Sequence, residues 1–188
     1  MPKNASSYWL DSKAFSFASY GSEDAKILVK REGEFTRKLI ENAESGFTAS
    51  VRYPFGDILL NSNSNKIMIA GGTGISIFLS YIDYLNLSDF RTINFIFHSM
   101  RSDEINLSNY YWNKIPENLQ YKKFVTSKDN AEYTGRLSYD SILSSIRELD
   151  NFEFYVCGPT SFNDYWIEAL LEHGYNCRVE QWINSKVI

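Results

Sequence analysis

The sequence predicts an α/β fold, a parallel sheet preceded by a smaller antiparallel β part, and three observations carry that prediction. The apolar run Ile67-Met68-Ile69-Ala70 ends in Gly71-Gly72-Thr73-Gly74 and passes at once into Ile75, Phe78, Leu79, Ile82 and Leu85, apolar residues at helical spacing. That order is strand, tight turn, helix. From Lys66 onward, short apolar runs keep alternating with amphipathic stretches, as parallel sheets require. Before Lys66 the texture differs: short strand-like runs are separated by turn residues.

Taken in order, the first part predicts strands at 15–20, 26–31 and 47–53 and one helix near 35–42. Gly21-Ser22-Glu23-Asp24 reads as a hairpin connection and Tyr53-Pro54-Phe55-Gly56-Asp57 as a turn, with glycine and proline where turns use them. The polar stretch Asn61-Ser62-Asn63-Ser64-Asn65 reads as a linker. It divides the chain into an antiparallel part over 1–62 and an α/β domain over 63–188.

In the second part the periodicity predicts strands at 67–70, 93–98, 121–126, 152–157 and 177–182. Helices are expected at 75–85, around 105–114, at 139–149 and at 161–173. Gly174 suits a helix stop, and Pro159 suits a helix start, where a missing N–H costs nothing. Ligands of such sheets sit beyond the carboxyl ends of the strands, which directs attention to the loops beginning at Gly71, Ser99, Ser127 and Gly158.

Composition bounds the function. The chain has 188 residues, 44% of them hydrophobic, enough for a sizeable core. A net charge of −4 without a long basic run argues against nucleic acid as a partner, and Lys122-Lys123 reads as a solvated strand edge. No stretch approaches the ~20 apolar residues of a membrane span, and the N-terminus lacks an apolar signal core, so the expectation is a soluble, cytoplasmic protein. Cys157 and Cys177 stand far apart, and His98 and His173 make no metal pair, so no disulfide framework or metal site is expected.

A glycine turn opening a helix suits an anion, because glycine lets the backbone approach closely and the free N–H groups of the helix start point at negative charge. The GxGxxG pattern is incomplete, since Ile77 stands where the third glycine belongs. The plainer reading is a close helix–strand packing joint. If the turn binds an anion, adding a Cβ at Gly74 is expected to weaken nucleotide binding more than folding.

Ala70-Gly71-Gly72-Thr73-Gly74-Ile75, followed much later by Tyr155-Val156-Cys157-Gly158-Pro159, resembles the paired nicotinamide-binding motifs of the ferredoxin–NADP reductase superfamily. Upstream, Phe15-Ser16-Phe17-Ala18-Ser19 resembles its flavin-binding segment. Gly33-Glu34-Phe35-Thr36 resembles its flavin pyrophosphate loop, and Tyr53-Pro54-Phe55-Gly56 its Gly-Pro-Tyr/Phe-Gly turn. The branch that these motifs are most similar to contains ferric reductases, NADPH oxidases and related electron-transfer subunits. Members usually have several barrel strands before the flavin segment, whereas fourteen residues precede it here, so half of the flavin barrel is expected to be missing. Lys13 and Ala14 replace the family's basic or His-Pro residues, and Ile77 replaces a proline.

The resemblance implies an NAD(P)H-dependent flavin oxidoreductase or electron-transfer component, passing hydride from NAD(P)H to FAD and electrons onward. The alternative is a nucleotide-binding regulatory or partner-dependent module without turnover. The implied partner is a redox protein or the missing barrel segment, with a membrane oxidoreductase as one possible context. The implied catalytic group is Ser16 near the flavin, Cys157 beside the nicotinamide and Glu180 near the stacked rings. Phe15, Ser16, Gly33, Phe35 and Thr36 would hold the flavin. Gly71, Gly72, Thr73, Gly74, Ile75, Cys157, Gly158 and Pro159 would hold the nicotinamide nucleotide, with the cofactor-binding Trp182 near the flavin–nicotinamide stack. Each has a plainer reading: Cys157 as a small core residue, Ser16 as a strand hydroxyl, Thr36 as a helix cap, Trp182 as a core aromatic and Glu180 as a surface charge. Ser99, Arg101, Ser127 and Lys128 lie past two strand ends and would suit a 2′-phosphate, which mildly favours NADPH over NADH. Asp103 and Asp129 dilute that positive field.

Overall fold

In the computed structural model the described residues are 13–51, 60, 62–101, 115–126 and 135–180, with residues 44 and 45 described in backbone only. Among these residues ten elements follow one another. They are α1 (Gly33–Ser45), β1 (Asn65–Gly71), a 3-10 turn (Gly72–Ile75), α2 (Ser76–Leu87), β2 (Asn94–Met100), β3 (Leu119–Val125), α3 (Tyr139–Leu143), β4 (Phe152–Cys157), α4 (Thr160–Glu172) and β5 (Cys177–Glu180). The five strands form one sheet in the order β3-β2-β1-β4-β5, and every pairing is parallel. The α/β prediction holds.

Sheet residues divide by parity between two apolar layers. Met68, Ala70, Ile96, Tyr155 and Cys157 face the layer completed by Phe78, Leu79, Tyr81, Ile82 and Leu85 of α2. Ile67, Ile69, Phe95, Phe97, Phe154 and Val156 face the other, completed by Tyr139 and Ile142 of α3 and Trp166 and Leu170 of α4. The central strand β1 is buried from Lys66 to Gly71, which explains a continuous apolar run in place of an alternating one.

Residues 13–31 do not form the two predicted strands. A single antiparallel bridge joins Phe17 to Ile27, with the Ala18 N–H donating to the Lys26 carbonyl at 2.7 Å. Here the hydroxyl of Ser19 competes for ladder groups: it accepts from the Lys26 N–H at 2.9 Å and donates to the Asp24 carbonyl at 3.2 Å. The segment docks on α2: Ala18 is buried in the α2 layer, the Tyr20 N–H donates to Asp83 Oδ2 at 3.2 Å, and Tyr20 meets Tyr84 edge-on at 5.2 Å. Residues 47–51 have no regular structure, and the rest of the predicted strand at 47–53, like the turn at 53–57, lies outside the described residues.

The predicted helix at 139–149 stops at Leu143. Ser144 and Ser145 turn their hydroxyls back onto the Ser141 carbonyl at 2.9 and 3.0 Å, offering the backbone an alternative to the helix. The helix expected at 105–114 falls outside the described residues, as do positions 181 and 182 of the last predicted strand.

The stretch read as a linker is fastened. Lys66, fully buried at the start of β1, donates through Nζ to the carbonyls of Ser62 and Ser64 at 2.6 and 2.8 Å and to Ser64 Oγ at 3.1 Å. Glu153 beside it on β4 accepts from Tyr155 Oη at 2.7 Å and Ser62 Oγ at 3.1 Å. This buried polar knot closes the amino edge of the sheet, opposite the edge where ligands of such folds bind.

Candidate functional site

The chain proceeds from β1 outward to β2 and β3, then returns to the other side of β1 as β4 and β5. Strand order therefore reverses between β1 and β4, and the crevice beyond their carboxyl ends is the topological switch point. Register sets Ala70 against Cys157, Gly71 against Ser99, and Cys157 against Glu180. The loop after Ala70 and the loop after Cys157, eighty-odd residues apart in sequence, thus open side by side.

Their backbones are packed on one another. A Cβ built on Gly74 would overlap the Cys157 carbonyl and lie 2.9 Å from the Gly158 nitrogen. One on Gly158 would come within 2.6 Å of the Phe162 ring and 3.1 Å of the Gly71 Cα, and one on Gly71 would meet the Phe162 ring at 3.0 Å. Gly72 adds a positive φ of 54°. The packing-joint reading therefore holds for Gly71, Gly74 and Gly158, and the expectation that a Cβ at Gly74 spares folding is corrected: it would strike backbone that cannot move aside.

The same loops suit an anion. The 3-10 turn that leads into α2 has no side-chain cap and no acidic residue in its first turn, and the same is true of α4. Two helix starts with unclaimed N–H groups thus open at the switch point, each adding positive potential. Ser76 Oγ donates to the Thr73 carbonyl at 2.7 Å, bracing the turn from inside. These features fit a dinucleotide pyrophosphate.

His98 is a site residue that the sequence reading passed over. It is 1% exposed on β2, and its ring bridges two elements: Nε2 lies 2.8 Å from the Gly72 carbonyl oxygen and Nδ1 lies 2.8 Å from Tyr121 Oη on β3. A carbonyl only accepts, so Nε2 carries the proton, and in the neutral ring Nδ1 accepts from the phenol. Burial pushes the Tyr121 phenol well above its ordinary range, so it stays a donor. The available signal was a lone polar residue at an inward position of the apolar run Phe95-Ile96-Phe97-His98.

Cys157 is 1% exposed and belongs to the apolar layer with Ala70 and Ile75. Glu180 is half-buried at the end of β5, held there by Asn163 Nδ2, which donates to its carbonyl at 3.0 Å. Pro159 is exposed at the mouth of the second loop, and Arg101 is exposed just past β2. Ser127, Lys128 and Trp182 lie outside the described residues.

The second group gathers elsewhere. Phe15 stacks on Phe35 at 6.4 Å, uniting the segment around Ser16 with the start of α1, and Gly33 holds a φ of 83°. Thr36 Oγ1 accepts from the Glu32 N–H at 2.7 Å and donates to the Glu32 carbonyl at 2.8 Å, so its hydroxyl is engaged with the residue that precedes the helix. Glu34 in the first turn pairs with Lys38 at 2.6 Å, placing a carboxylate where a phosphate would want none.

Comparison with known proteins agrees with this geometry. The profile described as the oxidoreductase NAD-binding domain matches residues 68–166. The chain is 28% identical over 133 residues to a probable dihydroorotate dehydrogenase B (NAD(+)) electron transfer subunit of Thermococcus kodakarensis, covering 71% of this chain and 53% of that protein. It is 26% identical over 162 residues to the 2-halobenzoate 1,2-dioxygenase electron transfer component of Burkholderia cepacia, covering 79% and 47%. Among solved structures it is similar to flavohemoglobin of Malassezia yamatoensis, with a TM-score of 0.70 at 19% identity over 91% of this chain and 47% of that one. The FAD/NAD-binding domain of nitric oxide dioxygenase from Vibrio cholerae gives 0.69 at 18% identity, over 88% and 76%. The chain spans about half the length of the curated relatives it matches. The profile runs from β1 into α4 and takes in the packed glycines, and the chain belongs to the oxidoreductase NAD-binding domain family; its motifs resemble those of the ferredoxin–NADP reductase superfamily.

Proposed function

We propose that the chain binds NAD(P)H at the switch point between β1 and β4 and serves as the nucleotide-binding part of a flavin-dependent electron-transfer protein. The observation that carries this is the pairing of two uncapped, acid-free helix starts, at Gly72 and Thr160, over glycines packed backbone to backbone. The N–H groups of Gly72 and Thr73, which precede the first hydrogen bond of the 3-10 turn, would hold the pyrophosphate, and Gly158 and Pro159 would border the nicotinamide half. When bound, the two cofactors supply the chemistry, hydride donation by the dihydronicotinamide and acceptance by the flavin. The chain's own part is to orient the nucleotide and keep water from the reacting face. Cys157, buried in the apolar layer, would act by packing, with no thiolate required. Ser16 would donate a hydrogen bond to the flavin, with Phe15, Phe35 and Gly33 beside it, and Glu180 and Trp182 would flank the stacked rings. The electron-transfer proteins among its relatives support a redox partner as the onward acceptor.

A second reading, nucleotide binding without independent turnover, draws support from α1: the engaged Thr36 hydroxyl and Glu34 weaken the flavin phosphate site, while the switch point is intact. Titration calorimetry with NADH and NADPH, and absorbance spectra with and without FAD, separate the readings. Saturable binding of a dinucleotide is expected, and no binding of either would overturn the proposal. If Arg101 and Lys128 meet a 2′-phosphate, their joint replacement by Ala should remove any NADPH preference and leave NADH binding nearly intact. Equal loss for both nucleotides would refute that assignment.

A further inference from the structure

We propose that His98 is a positioning residue for the nucleotide: by holding the Gly72 carbonyl inward, it sets the direction of the N–H that meets the pyrophosphate. The proposal rests on the switch-point reading above and adds to it the group that orders the turn. The Gly72–Thr73 peptide is planar and trans, so its carbonyl and its N–H point in opposite directions. With the carbonyl bound 2.8 Å from His98 Nε2 inside the α2 layer, the Thr73 N–H is turned away from the core, toward the start of the helix and the crevice.

That arrangement needs an anchor. Gly72 sits at φ 54° on a residue without a Cβ, where the backbone has the widest choice of alternatives. The neighbouring glycines are fixed by contact with Cys157, Gly158 and Phe162, but the Gly72 peptide is tied through a side chain from another strand. His98 itself is aimed from its far side, because Nδ1 accepts from Tyr121 on β3 and so leaves the proton on Nε2. The relay runs β3 to β2 to the turn after β1, across three adjacent strands. It predefines the anion-binding conformation before any nucleotide arrives, and preorganisation of this kind shows as affinity.

The two ring nitrogens can be tested separately. The amide of glutamine reaches about as far as imidazole Nε2, whereas that of asparagine reaches only as far as Nδ1. His98→Gln therefore keeps a donor for Gly72, and His98→Asn keeps only the Tyr121 side. Titration calorimetry with NADH and NADPH on the whole chain, with thermal unfolding of each variant and amide exchange at Ser76, gives the readout. The expected result is dinucleotide affinity within about threefold of wild type for His98→Gln and about tenfold weaker for His98→Asn, the loss of roughly one hydrogen bond. Both variants should unfold cooperatively, and exchange of the Ser76 amide, which donates to the Thr73 carbonyl, should quicken in His98→Asn alone. Wild-type affinity in His98→Asn, or equal losses in the two variants that track their stability, would overturn the proposal. A wild-type chain that binds neither dinucleotide overturns the switch-point reading and this proposal with it. Wild-type binding with equal variants overturns the role of His98 alone.

Discussion

Gly74 is small for a reason other than backbone freedom. Its φ lies outside the positive region that Gly72 and Gly174 occupy, and any residue could adopt it. What excludes a side chain is the Cys157–Gly158 peptide, against which a Cβ would overlap. Gly74→Ala should therefore destabilise the fold by about 3 kcal/mol or more, at the upper end of the overpacking range. Gly71→Ala, whose Cβ would first meet the Phe162 ring, should cost less because an aromatic side chain can tilt. Urea unfolding of the two variants checks the order, and equal midpoints would contradict it. Cys157 follows the same logic from the other side: its carbonyl is the surface that Gly74 packs on, while its side chain fills the layer under α2.

Elements are stabilised at both edges of the sheet by different means. At the carboxyl edge backbone packs on backbone, whereas at the amino edge buried polar groups satisfy one another. Burial works to raise the Glu153 carboxyl, yet hydrogen bonds from Tyr155, Ser64 and Ser62, with the charge of Lys66, hold it below the ordinary carboxylate range. Burial, reinforced by the hydrogen bond to Glu153, pushes the Tyr155 phenol up to about 12. Burial also lowers Lys66, against the raising influence of Glu153. A depressed carboxylate contributes stability that is complete above its unfolded pKa of about 4.3 and is lost as pH falls through the lower folded value. Wild type should therefore exceed Glu153→Gln in thermal stability at pH 7, and the gap should close as pH falls below about 4. A gap that stays constant from pH 7 to pH 3 would show that the charge of Glu153 contributes nothing.

As a whole molecule, the chain joins a well-built α/β unit to a lightly built front segment. Among the described residues the front segment has one bridge and one helix, docked on α2 through Ala18, Tyr20 and Leu28. No helix among the described residues is long and apolar enough to cross a membrane. If flavin binding needs cover beyond Phe15, Ser16 and α1, the chain alone should bind FAD weakly, keep its dinucleotide affinity, and reduce dyes slowly until a partner or further segment is added. Gel filtration monitored at flavin wavelengths, together with a dye-reduction assay, tests this. Stoichiometric FAD on a rapidly turning-over monomer would refute it and show that the front segment suffices.

What the sequence determined by itself is what depends on near neighbours. The strand, glycine turn and helix read at 67–85, the strands read at 93–98, 121–126 and 152–157, each found within two residues of those bounds, and the start of α4 after Pro159 all follow from periodicity and turn chemistry within a dozen residues. Local pattern misled where competing local bonds were available, as with Ser19 in the front bridge and Ser144 and Ser145 at the end of α3. Tertiary structure alone decided how the pieces meet. The order β3-β2-β1-β4-β5 brings Gly74 against Cys157, gives the glycines a packing role, and lays His98 beneath Gly72. Those contacts join residues some 26 to 84 positions apart, and a sequence shows such pairs only as separate polar or glycine residues in apolar surroundings. Their meaning comes from strand pairing, because register across a parallel sheet, and not spacing along the chain, sets which loops share the switch point.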